Sequence, residues 1–280
     1  MPACRAARDP PPVSPGRTTV RENPLKARLL AGETTLGAWL MFADPFVAEA
    51  MASLGWDWLL VDMEHGPVPL ADAQAMITAI RTTPVVPLVR PAWNESAQIQ
   101  RVLDLGPAGI IVPVVNTAED ARQVVRDARF PPLGERSRGA VRPALAFGTD
   151  AGTYSERAND EVLVFVQIET DTAVANAEAI AAVDGIDGLF VGPNDLAASA
   201  GKRWPDVWER DEVYMRAIEA IPRIARQAGK IAGILARDAA MAKRCAQLGY
   251  GFIGVSSDIG YLMGAAKREH EAARREIAAR

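Results

Sequence analysis

The chain has 280 residues, 49% of them hydrophobic and 24% charged, which is typical of a single large globular α/β domain. Its net charge of −4 and its lack of Lys/Arg-rich runs argue against nucleic acid or an anionic membrane surface as a partner. Two cysteines, Cys4 and Cys245, provide neither a disulfide framework nor a zinc site, and they favour a reducing, cytoplasmic location.

The first 24 residues differ in composition from the rest of the chain. They contain six prolines and four arginines and lack the apolar core of a signal peptide. We expect a disordered tail over residues 1–24 and one catalytic domain over residues 25–280. An Arg-rich organellar transit segment is the alternative, although its prolines oppose an amphipathic helix. No later stretch reaches the roughly 20 apolar residues that a membrane span needs.

From residue 36 onward, eight short apolar runs alternate with longer segments of helical period. Apolar runs without polar alternation are typical of parallel strands that are buried on both faces. Eight successive βα units predict a closed (β/α)₈ barrel, and a doubly wound open sheet is the alternative. The predicted strands cover residues 36–41, 57–62, 84–89, 109–114, 162–168, 187–191, 231–235 and 251–255.

Several helical segments follow a residue that is typical of a helix N-cap, and the caps predicted here are Asn94, Thr117 and Asp238. Residues 131–160 form the one long connection that we predict to be irregular, and loops of that length are often functional. The predicted helices cover residues 45–54, 70–82, 95–105, 117–128, 171–183, 211–228, 238–248 and 259–278.

Reactive side chains of a barrel enzyme gather at the carboxyl ends of its strands. Charged residues are costly at the rim of an apolar core unless they are paired or in use. Several such residues lie at or just after the ends of the first six predicted strands, so we expect their side chains to lie close together at one rim of the barrel. These strand-end residues are Trp39, Asp62, Glu64, His65, Arg90, Gln167, Glu169 and Asp195.

Glu169 and Asp195 follow the fifth and sixth predicted strands, which are neighbours in a barrel. Two close carboxylates repel each other unless one is protonated or a cation lies between them. Oxygen ligands without cysteine suit Mg²⁺ or Mn²⁺. The alternatives are that each caps a helix or binds a local arginine, or that the two form an acid/base pair of the glycosidase type.

His65 and Arg90 are the candidate groups for proton transfer and charge stabilisation. His65 follows Asp62 and Glu64, and a neighbouring carboxylate would hold its imidazole in one tautomer, as a general base requires. A purely structural histidine is the alternative. Arg90 is suited to a substrate carboxylate or a developing enolate oxygen, or to a salt bridge with Asp62 or Glu64, or to both roles.

The turn Gly192-Pro193-Asn194-Asp195 opens a short predicted helix, whose first amides could receive a substrate carboxylate. None of the five lysines ends a predicted strand, which opposes a Schiff-base mechanism. The sequence has no GxGxxG or P-loop motif and no serine nucleophile elbow.

Five separated motifs make the chain resemble the HpcH/HpaI family of metal-dependent (class II) aldolases, which act on 2-keto-3-deoxy sugar acids and 4-hydroxy-2-oxo-heptanedioate. They occur in the family's order and spacing, and the resemblance covers about residues 30–265. The motifs are VDMEHGP (61–67), PLVRP (87–91), IIVPVVNTAEDA (110–121), VQIET (166–170) and VGPNDLAASAG (191–201).

The resemblance implies a barrel of the phosphoenolpyruvate/pyruvate type that reversibly cleaves a 4-hydroxy-2-oxo acid to pyruvate and an aldehyde through an enolate. Glu169 and Asp195 would hold Mg²⁺ or Mn²⁺, with Co²⁺ also possible. His65, supported by Asp62, would be the base, and Arg90 would stabilise the enolate. The last helix would be exchanged between subunits, in dimers that assemble into a hexamer.

The remaining positions that the resemblance implies would bind substrate. Gln167 would lie near the water shell of the metal, the backbone around Asn194 and Asp195 would receive the pyruvate carboxylate, and Trp39 would lie at the edge of the pocket. Ala197 stands where the family usually has serine, and the 134–148 stretch is variable. The identity of the aldehyde substrate therefore stays open. The alternatives in function are a citrate-lyase-like enzyme acting on a CoA thioester and a non-catalytic metabolite-binding barrel.

Overall fold

The computed structural model of the protein describes residues 19–139, 141–204 and 206–279. Eight parallel strands pair in sequence order, and the eighth pairs with the first, which closes a barrel. The predicted (β/α)₈ barrel is therefore confirmed, and the open doubly wound alternative is wrong. The strands are Thr35–Leu40 (β1), Trp58–Asp62 (β2), Val86–Arg90 (β3), Gly109–Val112 (β4), Leu163–Ile168 (β5), Gly188–Val191 (β6), Ile231–Ala236 (β7) and Phe252–Ser257 (β8).

Helices connect the strands and pack around the barrel. In the described ranges, no helix is both long and apolar enough to cross a membrane. The helices are Pro24–Leu30 (α1), Pro45–Ala52 (α2), Leu70–Ile80 (α3), Ser96–Leu103 (α4), Ala118–Ala128 (α5), Val141–Ala146 (α6), Ala151–Glu161 (α7), Asp171–Ala175 (α8), Ala177–Ala181 (α9), Pro193–Ser199 (α10), Glu212–Gln227 (α11), Ala239–Leu248 (α12) and Asp258–Ala278 (α13).

The connection 131–160 is not irregular as predicted, because it contains α6 and α7. Asp150 caps α7 by accepting a hydrogen bond from the amide of Thr153 at 2.9 Å. Tyr154, Ser155 and Ala158 are buried on one side of α7. Their spacing is helical, so the pattern was present in the sequence, but the polar residues between them obscured it.

The helix predicted over residues 171–183 is divided into α8 and α9 at Asn176. This residue leaves helical geometry with φ −99° and ψ 5°, and it ends one helix and precedes the next. Its side-chain Nδ2 donates to the carbonyl of Asn116 at 2.9 Å. A hydrogen bond to a distant loop thus interrupts the helix, and the local sequence does not reveal that contact.

Two of the three predicted N-caps are confirmed. Thr117 forms a capping box with Asp120, and Asp238 accepts from the amide of Met241 at 2.9 Å. Asn94 is not a cap, because α4 begins one residue later than predicted and Glu95 occupies its N-cap position.

The chain makes contact with the barrel before the predicted domain boundary at residue 25. Asn23 is buried and caps α1, and its Nδ2 donates to the carbonyls of Ala108 and Glu161 at 2.9 and 2.8 Å. Most of the tail predicted over residues 1–24 lies outside the described residues, which begin at residue 19.

Aromatic rings fill the interior of the barrel, and glycines on neighbouring strands make room for them. Trp58 and Phe165 stack on Phe252 with centroid distances of 4.1 and 4.6 Å. A Cβ at Gly37 would lie 2.0 Å from the ring of Trp58, and one at Gly188 would lie 2.3 Å from the ring of Phe165. Large and small residues therefore alternate across the strands, as close packing of a barrel core requires.

We expect Gly37→Ala to lower the free energy of unfolding by about 2 kcal/mol or more, because the added methyl group overlaps a fully buried ring. The matched control is Gly251→Ala just before β8, where the nearest atom to an added Cβ is 3.5 Å away. Urea unfolding followed by circular dichroism measures both variants. Equal stability of the two would contradict this account of the core.

Candidate active site

The carboxyl ends of β2, β3, β5 and β6 bring the predicted residues together. Asp62 and Arg90 are the last residues of β2 and β3, and they are partners in the sheet register. Glu169 directly follows β5 and Gly192 directly follows β6, and the last residues of these two strands are also paired. Strand register thus aligns the charged residues along one rim.

Arg90 is buried and held on three sides. Its Nε donates to Asp62 Oδ1 at 2.9 Å and its Nη2 donates to Asp62 Oδ2 at 2.7 Å, which is a bidentate pair. Its Nη1 lies 2.7 Å from Glu64 Oε2, and its guanidinium carbon lies 4.2 Å from the centre of the Trp39 ring. The salt bridges that the sequence left open for Arg90 are therefore both present, and they fix the orientation of the guanidinium.

Glu64 belongs to this group, as its position after the second strand predicted, although the sequence assigned it no catalytic or binding role of its own. Its Oε2 is within ion-pair distance of Arg90, but the angles are not those of a hydrogen bond, so this buried oxygen has no hydrogen-bond donor. Burial raises the pKa of Glu64, Arg90 lowers it, and the charges of Asp62 and Asp195 raise it further. Glu64 is thus a buried acceptor that this chain does not fully satisfy.

Both carboxylate oxygens of Glu169 are held by the protein. Oε1 accepts from the amide of Val114 at 2.6 Å, and Oε2 accepts from the side-chain Nε2 of Gln167. The Oε1 of Gln167 lies 3.5 Å from Nη1 of Arg90, at the limit of a hydrogen bond. Gln167 therefore connects the buried arginine to the buried carboxylate.

Glu169 is electrostatically coupled to the other acids of the rim. Burial, followed by the negative charges of Glu64 and Asp195, raises the pKa of Glu169 to about 7. The Val114 amide and Arg90 oppose this increase. The increase in pKa means that the ionised carboxylate is disfavoured in the protein alone, and a nearby cation would reverse this preference.

Val114 adopts a backbone conformation that is costly for a β-branched residue. Its φ is 55°, in the left-handed region that such side chains rarely occupy. Strained backbone of this kind is often retained at functional sites, where other contacts compensate for it. Here it accompanies the hydrogen bond from the Val114 amide to Glu169, and no signal in the local sequence would have identified it.

Asp195 lies in the first turn of α10, and Gly192 precedes that helix. A Cβ at Gly192 would lie 2.8 Å from Gln167 Nε2 and 2.9 Å from Glu169 Oε2, so only glycine lets the chain pass this close. The negative charge of Asp195 contributes to the raised pKa of Glu169. Asp195 does not cap the helix as the alternative interpretation proposed, because Gly192 has the N-cap position, although a negative charge is favourable in the first turn.

His65 lies at the surface of the site, and its side chain is 55% exposed. Its Nε2 is 3.9 Å from Glu64 Oε2. The Asp62 carboxylate pairs with Arg90, and its predicted support of the His65 imidazole stays a prediction. Asp62 also accepts from the backbone amides of Glu64 and His65 at 3.1 and 3.3 Å, so it shapes the turn that carries the histidine.

A cavity of about 270 Å³ opens at this rim. Six of the ten predicted site residues line it, and the other four adjoin it through the contacts described above. The six are Trp39, Asp62, His65, Arg90, Pro193 and Asn194.

The opposite wall of the cavity was not predicted. It comes from the ends of β7 and β8 and from the segment after α10. Arg237 directly follows β7 and Ser257 ends β8, which is the same sequence signal that identifies Arg90, whereas Trp204 has no such signal. The additional lining residues are Met41, Trp204, Leu235, Ala236, Arg237, Ser256 and Ser257.

The residues present fit a divalent cation. Glu169 is a buried carboxylate with a raised pKa, Asp195 is close enough to affect it, and Glu64 has an unsatisfied buried oxygen. In the described ranges, His, Cys, Asp and Glu form no group of three or more that is arranged to hold a metal. A cation held by Glu169 and Asp195 would thus keep positions for water and substrate.

A closed (β/α)₈ barrel with charged side chains gathered around a cavity at the carboxyl ends of its strands is the framework of an enzyme. Residues 35–265 match the family described as HpcH/HpaI aldolase/citrate lyase, and the chain belongs to this family. The resemblance found in the five sequence motifs is therefore confirmed.

Individual relatives support the same assignment. The 2-keto-3-deoxy-L-rhamnonate aldolase of Klebsiella pneumoniae is 43% identical over 236 residues, which cover 84% of this chain and 87% of that protein. The hydroxypyruvate/pyruvate aldolase of Sagittula stellata is 41% identical, with 85% of this chain and 92% of that protein covered. A solved HpcH/HpaI aldolase/citrate lyase family structure from Burkholderia cenocepacia has a TM-score of 0.83 at 37% identity, with 90% and 99% covered.

We expect Glu169→Gln to stabilise the metal-free protein at alkaline pH by on the order of 2 kcal/mol. The pKa of Glu169 rises from an ordinary 4.5 to about 7 on folding, so its contribution to stability is complete below pH 4.5 and is lost as the pH rises through 7. The difference between variant and parent should therefore be largest above pH 7 and vanish near pH 4.5. Urea unfolding in the presence of a chelator over this pH range measures it.

Added Mn²⁺ should reverse the order of stability, because the parent gains a ligand for the cation and the variant has lost one. Glu156→Gln, at an exposed carboxylate on α7, is the matched control and should follow the parent throughout. A stability difference that is independent of both pH and Mn²⁺ would contradict the assignment of Glu169.

Proposed function

We propose that this chain is a class II, divalent-metal-dependent aldolase that reversibly cleaves a 4-hydroxy-2-oxo acid to pyruvate and an aldehyde. The observation that carries the proposal is the group of buried carboxylates around Glu169 next to the fixed guanidinium of Arg90. Relatives that are 41–43% identical are named aldolases of 2-oxo acids, which supports the same reaction class.

Glu169 and Asp195 would hold the cation, for which Mg²⁺ or Mn²⁺ is the first choice and Co²⁺ the second, because all their donor atoms are oxygens. When bound, the cation supplies Lewis-acid polarisation of the 2-oxo group. Gln167 holds Glu169 in place and keeps its own amide close to Arg90. Glu64 adds negative charge that favours cation binding.

Arg90 provides a positive charge that needs no rearrangement when negative charge develops on an enolate oxygen. Its pair with Asp62 and its contact with Trp39 keep its orientation constant. His65 lines the same cavity and, being exposed, can exchange a proton with the C3 methyl group of pyruvate and with water. We assign His65 as the base and Arg90 as the enolate-stabilising group.

The turn before α10 receives the pyruvate carboxylate in this proposal. Pro193 and Asn194 line the cavity, and the N-cap residue Gly192 provides no side chain to satisfy the first amides of the helix. The amides of Asn194 and Asp195 are thus available to an anion next to the cation-binding carboxylates.

Aldol chemistry is preferred over action on a CoA thioester. A cavity of about 270 Å³ suits a substrate of the size of a short oxo acid. The two relatives that are 41–43% identical are also named aldolases rather than lyases of CoA esters. Assays with pyruvate plus aldehyde and with malyl-CoA separate the two reactions, and binding of the metal and pyruvate without turnover would support a non-catalytic barrel.

We expect His65→Ala to slow exchange of the pyruvate methyl protons in deuterated water by about 10²–10⁴-fold, because the variant lacks the base. The matched control is His270→Ala, at an exposed histidine on α13, which should exchange at the parent rate. Proton NMR follows the exchange, with Mn²⁺ removed before the spectra are recorded. An unchanged rate in His65→Ala would exclude His65 as the base, and a parent rate that survives thorough chelation would exclude the metal.

We further propose that α13 exchanges between subunits in dimers that form a hexamer, in the cytoplasm. Leu262 and Met263 on α13 are more than half exposed in the single chain, and Asp258 is the residue of that helix described as buried. Apolar groups of this kind are typical of a helix that packs on a partner. Cys245 is a buried free thiol, which is compatible with a reducing compartment.

We expect the parent protein to sediment as a hexamer and Met263→Glu to shift it to smaller species, because the variant places a charge at the proposed contact. Val213→Glu on α11, at an apolar residue with the same degree of exposure, is the control. Sedimentation velocity measures both. A monomeric parent would refute the assembly without affecting the assignment of the active site.

A further inference from the structure

The segments that leave β4 and β5 are joined by two successive hydrogen bonds at the carboxyl end of the barrel. The first is the bond from the amide of Val114 to Oε1 of Glu169 at 2.6 Å. In the second, the Thr170 hydroxyl donates to the side-chain Oδ1 of Asn116. Thr170 is the next residue after Glu169, and Asn116 follows Val114 by two residues. The link between the two side chains therefore lies next to the bond that holds the carboxylate.

Asn116 is also fixed through its backbone. Its amide donates to Oδ2 of Asp120 at 3.0 Å, and the same oxygen accepts from the amide of Thr117 at 2.9 Å in the capping box of α5. Its carbonyl accepts from Nδ2 of Asn176 at 2.9 Å. The amide, the carbonyl and the side chain of Asn116 are thus all engaged, and they connect this residue to α5, to the start of α8 and to the break before α9.

These contacts account for the left-handed backbone conformation of Val114. A φ of 55° is unfavourable for a β-branched residue, so it persists only where neighbouring contacts hold the chain in place. Val115, between Val114 and Asn116, is fully buried and anchors the chain in the core. Asn116 anchors it on the side of α8. The amide of Val114 can then point at Glu169 without any rearrangement of the chain.

Thr170 also connects the elements that carry the two candidate metal ligands. Its Oγ1 accepts from the amide of Ala173 at 3.0 Å, which makes it the N-cap of α8. The amide of Asp171, the residue after Thr170, donates to Oγ of Ser199 at 3.0 Å. Ser199 is the last residue of α10, the helix whose first turn contains Asp195. The start of α8 is thus attached to α10 as well as to the segment after β4.

We propose that Thr170 and Asn116 are positioning residues for Glu169. Their hydrogen bond keeps the Val114 amide on the carboxylate and so keeps the carboxylate oriented for a cation. The inference rests on the proposed function, in which Glu169 is a ligand of the cation. Hydrogen bonds of this kind behind a metal ligand typically change metal affinity by about 10–100-fold when they are removed.

Thr170→Val removes the hydroxyl and keeps the shape of the side chain. We expect it to weaken Mn²⁺ binding by about tenfold or more, measured by isothermal titration without substrate. Thr170→Ser keeps the hydroxyl and should bind Mn²⁺ nearly as tightly as the parent. The matched control is Asp150→Ala, which also loses a helix N-cap, on α7, a helix that does not line the cavity. It should lower the free energy of unfolding and leave the Mn²⁺ affinity unchanged.

A double-variant cycle tests whether Thr170 and Asn116 act through one hydrogen bond. Asn116→Ala removes the acceptor and should weaken Mn²⁺ binding to a similar degree. Because either substitution breaks the same bond, the protein with both Thr170→Val and Asn116→Ala should bind Mn²⁺ about as tightly as the weaker-binding single variant. Effects that add in the double variant would overturn the link between the two side chains.

Hydrogen exchange followed by mass spectrometry provides a second measurement, which needs no metal. In the metal-free protein, Thr170→Val should speed up exchange of the amides of residues 114–117 severalfold, because the backbone around Val114 is no longer fixed. Thr170→Ser and Asp150→Ala should leave the exchange of these amides unchanged.

The outcomes separate this inference from the proposed function. Equal Mn²⁺ affinity of the parent and Thr170→Val, or equal exchange of amides 114–117 in both, would overturn the positioning role and leave the proposed aldolase intact. Equal weakening in Asp150→Ala would also overturn it, because the effect would then reflect a general loss of stability. A parent protein that binds no Mn²⁺ would overturn the proposed function and this inference with it.

Discussion

The bidentate pair between Arg90 and Asp62 is the interaction on which the rim of the barrel depends. A guanidinium with a side-chain exposure of 6% would be very costly without a counter-ion, and the register of β2 and β3 places one directly beside it. The same Asp62 carboxylate accepts the amides of the turn that follows β2. One buried ion pair therefore fixes both the positive charge of the site and the loop that carries its histidine.

Negative charge exceeds positive charge around this pair. Asp62 and Glu64 pair with the guanidinium of Arg90, the negative charges of Glu64 and Asp195 also act on Glu169, and the excess is reflected in the raised pKa of Glu64 and Glu169. A protein that buries several carboxylates must compensate them by protons or cations. The excess would suit the divalent cation proposed above, and Val114 adopts an unfavourable backbone conformation while its amide holds Glu169 in position.

The fold could be predicted almost completely from local patterns, because each buried parallel strand and each amphipathic helix shows its period in the sequence. The errors arose where the local pattern was ambiguous. Polar residues hid the helical spacing of Tyr154 and Ala158 in α7, and a hydrogen bond to the Asn116 carbonyl divided a predicted helix at Asn176. Neither the interruption nor its cause can be read from neighbouring residues alone.

The sequence by itself determined the barrel, the family and the identity of the charged residues at the rim, since strand ends are defined by where apolar runs stop. Only the tertiary structure decided how those charges are paired. It paired both Asp62 and Glu64 with Arg90, where the sequence had left either pairing open, and turned the Val114 amide towards Glu169. The reason is that side-chain pairing depends on distances between strands and on backbone angles, and neither follows from the order of residues within one strand.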